Sequence, residues 1–103
     1  MRLKSVLLML VVALAPIAFA ADGASIYKAK CATCHGADGK GQSPMGKKMN
    51  LRDLGSPEVQ KQTDQQLYDW TAAGKGKMPA YKDKLTNDEI KALVVQMRAF
   101  GKK

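Results

Sequence analysis

Cys31-Ala32-Thr33-Cys34-His35 is the stretch whose reading decides the fold. It holds both cysteines and the single histidine of the 103-residue chain within five positions. The order C-x-x-C-H reads as covalent c-type haem attachment. On a helical turn, residues three apart are neighbours, so two sulfurs leave one face and can reach the vinyl groups along one side of a porphyrin. His35 follows directly, in place to turn its imidazole toward the iron. Three other readings compete. A thioredoxin-like dithiol wants its C-x-x-C beside a βαβ pattern, and no strand pattern appears in this chain. A structural zinc site needs four ligands, and beyond these three the sequence holds no further cysteine or histidine. The plainest alternative is a Cys31–Cys34 disulfide with His35 incidental.

Working outward toward the N-terminus, Met1-Arg2-Leu3-Lys4 is a short positive region, Val6 to Ala15 is a continuous apolar run, and Ala18-Phe19-Ala20 is a small-x-small cleavage site. Residues 1–20 therefore read as a secretory signal, leaving 21–103 as the mature domain. The apolar run is short of the ~20 residues a spanning helix needs, so stable membrane insertion is not expected. A domain of about 83 residues buries a modest core. A covalently held haem would supply a large flat apolar surface at its centre, and the chain without it is expected to fold poorly. Seventeen Lys and Arg against nine Asp and Glu give a formal charge of +8, which becomes +6 once Arg2 and Lys4 are removed. That excess suggests an acidic partner surface and charge-steered association. Export and the lack of an aromatic-rich basic module argue against nucleic acid.

Asp22 is placed to cap a helix from about Gly23 to Cys34, on which Gly23, Tyr27, Cys31 and Cys34 recur at helical spacing. Gly36 to Pro44 is dense in turn residues. Met45 to Leu54 reads as a basic and apolar loop whose apolar members, Leu51 among them, pack on the haem face or edge. Ser56 to Gln62 suits a short helical turn with Pro57 at its first position. Thr63-Asp64-Gln65-Gln66 and Thr86-Asn87-Asp88-Glu89 both match the capping box, and each opens a helix. On the first of these, Leu67 and Trp70 share nearly one face. Trp70 has two candidate roles: donating its indole N–H to a haem propionate, or packing against the ring. The last helix presents Ile90, Leu93, Val94, Met97 and Phe100 at core spacing and closes at Gly101.

A helix cannot persist through Gly74, Gly76 and Pro79, so Met78 stands on an extended loop that can hold a thioether end-on to iron. Met97 belongs to the core pattern. Met45 and Met49, on the earlier loop, remain rivals by spacing alone.

Cys31-Ala32-Thr33-Cys34-His35-Gly36, Asp38-Gly39-Lys40-Gly41 and Gly76-Lys77-Met78-Pro79-Ala80-Tyr81 together resemble a small monohaem class I c-type cytochrome of the bacterial periplasmic kind. The resemblance covers nearly the whole mature chain. It implies an all-α cytochrome c fold, three to four short helices around one haem c attached through Cys31 and Cys34 outside the cytoplasm. It also implies axial ligation by His35 and Met78, and a backbone carbonyl near a proline, matched here by Pro44, that accepts from the proximal histidine. The capped helix before Met78 would back the distal side of the haem. The first and last helices would cross near Gly23, with Gln96 standing where an aromatic is frequent and Phe100 taking over part of that contact.

Histidine plus methionine leaves iron no vacant position, so the expected role is a monomeric, non-enzymatic, one-electron carrier between periplasmic or membrane redox partners. A lysine ring of Lys40, Lys47, Lys48, Lys75, Lys77 and Lys82 would face acidic-surfaced redox proteins. Two alternatives stand: an electron-entry subunit of a larger oxidoreductase, and a haem sensor or enzyme with a labile distal ligand.

Overall fold

The computed structural model describes residues 22–102. The secretory-signal reading of residues 1–20 lies outside the described residues. Six helical segments follow one another among those described: α1 (Gly23–Lys30), α2 (Ala32–His35), α3 (Pro44–Met49), α4 (Pro57–Gln60), α5 (Asp64–Ala73) and α6 (Asn87–Phe100). No strand is present among them, only an isolated bridge between Lys75 and Met78. None of the described helices is long and apolar enough to cross a membrane.

Each start is written locally. Asp22 accepts from the N–H groups of Ala24 and Ser25 at the head of α1. Thr63 and Thr86 form complete capping boxes with Gln66 and Glu89, satisfying donors that a helix start leaves unpaired. Two Ser-Pro pairs open α3 and α4. Ser43 and Ser56 cap from the N-cap position while Pro44 and Pro57 occupy N1, where the missing N–H costs nothing.

Three long helices make the core. Tyr27 of α1, Leu67 of α5, and Leu93, Val94, Met97 and Phe100 of α6 form one buried cluster with Val59 and Cys31. The Tyr27 and Phe100 rings meet edge-on, with centroids 5.0 Å apart. Phe100 thus supplies the aromatic contact for which Gln96 is unsuited. Arg98 ties the short α4 to the core, because its guanidinium donates to the carbonyls of Gln60 and Gln62 and pairs with Asp64 at 2.8 Å. Gln60 Nε2 adds bonds to the carbonyls of Leu54 and Met97.

Two details differ from the sequence reading. The first helix is interrupted at Cys31, so α1 and α2 are distinct pieces. The stretch after Gly41, expected as loop, contains α3. That helix is held less by its own pattern than by its neighbours: Ser43 Oγ donates to the Cys34 carbonyl at 2.6 Å. A Cβ at Gly46 would lie 2.5 Å from the carbonyl oxygens of Cys34 and Gly41. Only glycine lets α3 press that closely on the segment carrying the cysteines.

Candidate functional site

Cys31, Cys34 and His35 are brought to one cleft by a change of direction at Cys31. Cys31 caps α1 with its N–H on the Tyr27 carbonyl at 2.8 Å, and its own carbonyl accepts from His35 N at 2.9 Å. No disulfide joins Cys31 and Cys34. Burial, with a smaller contribution from Cys34, pushes the Cys31 thiol up to about 11, so it is held neutral at ordinary pH. The turn after His35 is closed by Gly41 N on the His35 carbonyl at 2.8 Å and by Tyr27 Oη on the Gly36 carbonyl at 2.5 Å.

The cleft has two connected parts. The larger, about 320 Å³, is walled by His35, Leu51, Leu67, Trp70 and Met78 together with Met49 and Met97. The smaller, about 90 Å³, adds Cys31, Cys34 and Tyr81 and shares His35, Met49, Leu51 and Met78 with the first. Six of the seven residues expected at the site, Cys31, Cys34, His35, Leu51, Trp70 and Met78, therefore border one cleft.

Pro44 does not border it. It is the first residue of α3, and the bond from the proximal histidine is not made, because His35 Nδ1 is buried without a hydrogen-bond partner. Burial lowers the His35 pKa, favouring the neutral imidazole that binds a metal.

A half-buried, neutral imidazole on the wall of a mostly apolar cleft is placed to take a partner inside that cleft. It becomes intelligible beside a flat apolar group carrying an iron, and two thiols at the same wall suit attachment of that group. Among the described residues no three His, Cys, Asp or Glu side chains gather to hold a bare metal ion. The donor set therefore fits a haem and not a zinc ion.

Met78 is fixed by a hairpin. Its N–H and carbonyl exchange bonds with Lys75 at 3.0 and 3.2 Å, around a turn in which Gly76 takes φ +59. Gly74, at φ +77, allows the Met78 carbonyl to pass where a Cβ would lie 2.6 Å from it. Beyond the hairpin, the N–H groups of Tyr81 and Lys82 donate to the carbonyls of Thr71 and Ala72 at the end of α5. Of the rival methionines, Met45 is 46% exposed and lines neither part of the cleft. Met97 is packed in the core. Met49 reaches the cleft from the end of α3.

Trp70 makes no indole hydrogen bond among the described residues; its ring instead carries the Lys75 ammonium 4.1 Å from the centroid. Of the expected lysine ring, Lys75 and Lys77 border the cleft, joined by Lys30 and Arg52, whereas Lys40, Lys47, Lys48 and Lys82 line neither part. Arg52 also pairs with exposed Glu58 at 3.1 Å. Arg52, Lys30 and Asn50 carried no sequence signal, because only the tertiary course of the chain brings them here.

Comparison with known proteins bears on this geometry. A family model described as cytochrome C oxidase, cbb3-type, subunit III matches residues 18–95. The Cbb3-type cytochrome c oxidase subunit FixP of Azorhizobium caulinodans is 41% identical over 83 residues, or 80% of this chain. The chain spans only 27% of FixP's length. Cytochrome c6 of Leptolyngbya boryana is 35% identical over 76 residues, covering 74% of this chain and 86% of its own. Among solved structures, the KustC0563 c-type cytochrome superposes with a TM-score of 0.71 at 36% identity, covering 77% of this chain and 96% of its own. A mutant of that same cytochrome gives 0.70 at 34% identity, covering 77% and 98%.

Proposed function

The chain belongs to the c-type cytochromes, as a small class I member that carries electrons on covalently attached haem c, and on that premise we propose which residues hold the haem and how the electron is handed on. Cys31 and Cys34 would form the two thioether links, and His35 and Met78 would hold the iron. The observation that carries this reading is that His35 and Met78 border both parts of a single cleft whose wall holds the two thiols. Met78 also sits on a hydrogen-bonded hairpin able to aim one sulfur.

When bound, the haem supplies an iron that alternates between ferric and ferrous states. The chain does the rest. A thioether favours the ferrous state, and the apolar wall of Leu51, Leu67 and Val59 disfavours extra charge, so both raise the potential. Because the hairpin and α2 hold the same two donors in either state, little has to move with the electron. With His35 and Met78 both holding the iron, no position would be left for substrate, which supports a carrier and not an enzyme.

The partners are redox proteins, and an acidic docking surface is supported by Lys30, Lys75, Lys77 and Arg52 at the cleft mouth. Such a pairing slows as salt rises, through a Debye length of about 10 Å at 0.1 M. The reading of residues 1–20 as a secretory signal supports a periplasmic protein. The likeness to part of an oxidase subunit favours one second reading, an electron-entry module of a larger oxidoreductase, which would co-purify with that enzyme.

The ligand assignment is tested by replacing Met78 and Met49 singly with alanine and recording the methionine-sulfur-to-ferric-iron absorption band. Met78→Ala is expected to abolish the band and lower the potential, and Met49→Ala to retain it. Survival of the band in Met78→Ala would transfer the role to Met49.

A further inference from the structure

Tyr81 stands three residues beyond Met78, and each of its parts is engaged with a different piece of the fold. Its N–H donates to the Thr71 carbonyl at 3.1 Å, tying the outgoing end of the Met78 segment to the last turn of α5. Its carbonyl accepts from both Lys84 and Leu85 at 2.9 Å, opening the turn that leads to α6. Its ring lines the smaller part of the cleft beside Cys31, Cys34, His35 and Met78, and carries the Lys84 ammonium 5.6 Å from its centroid. Its hydroxyl reaches across to donate to the Lys30 carbonyl at 3.2 Å. Lys30 ends α1 and immediately precedes Cys31. The hairpin's incoming end is held separately, by Lys75 over Trp70.

From this arrangement we infer that Tyr81 is a positioning residue for the distal ligand: it braces the segment bearing Met78 directly on the segment bearing Cys31, Cys34 and His35, and so limits how far the thioether can swing from the iron. The inference rests on the assignment of Met78 as ligand. Without the brace, the hairpin keeps the glycine freedom of Gly74 and Gly76 on its incoming side, and its outgoing end is held to α5 only by the backbone bonds of Tyr81 and Lys82. Removing the hydroxyl leaves the ring in the cleft and the backbone bonds in place, so the effect falls on ligand retention more than on folding.

The test compares holoprotein carrying Tyr81→Phe with Tyr68→Phe. Tyr68 donates its hydroxyl to Asn87 Oδ1 at 2.5 Å between α5 and the start of α6, away from the cleft, so it controls for loss of any tyrosine hydroxyl. For each, the temperature at which the methionine-to-iron band fades is measured beside global unfolding, together with the rate at which carbon monoxide enters the ferrous protein. Tyr81→Phe is expected to lose the band well before it unfolds and to admit carbon monoxide about three- to fivefold faster, the scale of one net hydrogen bond. Tyr68→Phe should keep wild-type entry, with band and fold lost together. Entry rates that match in the two variants, or a band in Tyr81→Phe that persists up to unfolding, would overturn the inference alone. A band that survives in Met78→Ala would overturn the ligand assignment and this inference with it.

Discussion

Gly23 lies flush against the carbonyl of Ala92, so that a Cβ added to the glycine would collide with that oxygen and crowd the carbonyl carbon at 2.8 Å. This is where α1 crosses α6, and the obstacle is backbone, which cannot swing aside as a side chain can. Gly23→Ala is therefore expected to push the helices apart and destabilise the protein by about 1–3 kcal/mol. For a domain of this size, each kcal/mol lowers the melting midpoint by roughly 4–8 °C. A holoprotein melt checks it, and an unchanged midpoint would show that the crossing is not tight in solution.

A second consequence concerns acid. The Ser25 hydroxyl, then the Ser25 and Ala24 N–H groups, hold the Asp22 carboxyl below the usual carboxylate range. A carboxyl with a folded-state pKa below its unfolded value stabilises the fold above the unfolded pKa, about 3.9, and loses that contribution as pH falls through the lowered value. Asp22→Asn keeps a capping oxygen but removes the charge. Its midpoint is expected to lie below wild type at pH 7 and to converge on it at acid pH. A gap that stays constant with pH would rule out this origin.

Tyr27 joins the core to the turn behind His35. Its ring meets Phe100 edge-on while its hydroxyl donates to the Gly36 carbonyl at 2.5 Å. Tyr27→Phe keeps the ring and strands the carbonyl, at a cost of about 1–2 kcal/mol; Tyr27→Ala also leaves a cavity and should cost about 3–5 kcal/mol. Urea titration at unchanged slope measures both.

What the sequence made legible was what neighbouring residues decide. Asp22, Thr63 and Thr86 announced three helix starts because a cap needs only the next few N–H groups. The haem motif was legible because its residues lie within a single turn. The helix at Pro44–Met49 was not, since Gly46 and the paired Lys47 and Lys48 show no apolar stripe, and its stability comes from Ser43 and Gly46 against the Cys34 carbonyl. The break at Cys31 was hidden for the same reason: helical spacing continues through a change of direction that tertiary packing imposes. Pro44 was assigned a carbonyl role by its place beside the motif, and the bond this implies is absent because His35 Nδ1 has no partner. Lys30, Asn50 and Arg52 came to the cleft through folding, which no local pattern encodes.

The central claim is a haem iron closed on both sides by His35 and Met78. Recording the visible spectrum of the purified protein in both oxidation states at neutral pH, with and without carbon monoxide, tests it most directly. The expected result is a ferric protein showing the methionine-to-iron band and a ferrous protein whose spectrum carbon monoxide does not alter on mixing, entering only slowly as Met78 leaves the iron. Colourless protein, or a ferrous form that binds carbon monoxide at once, would contradict it.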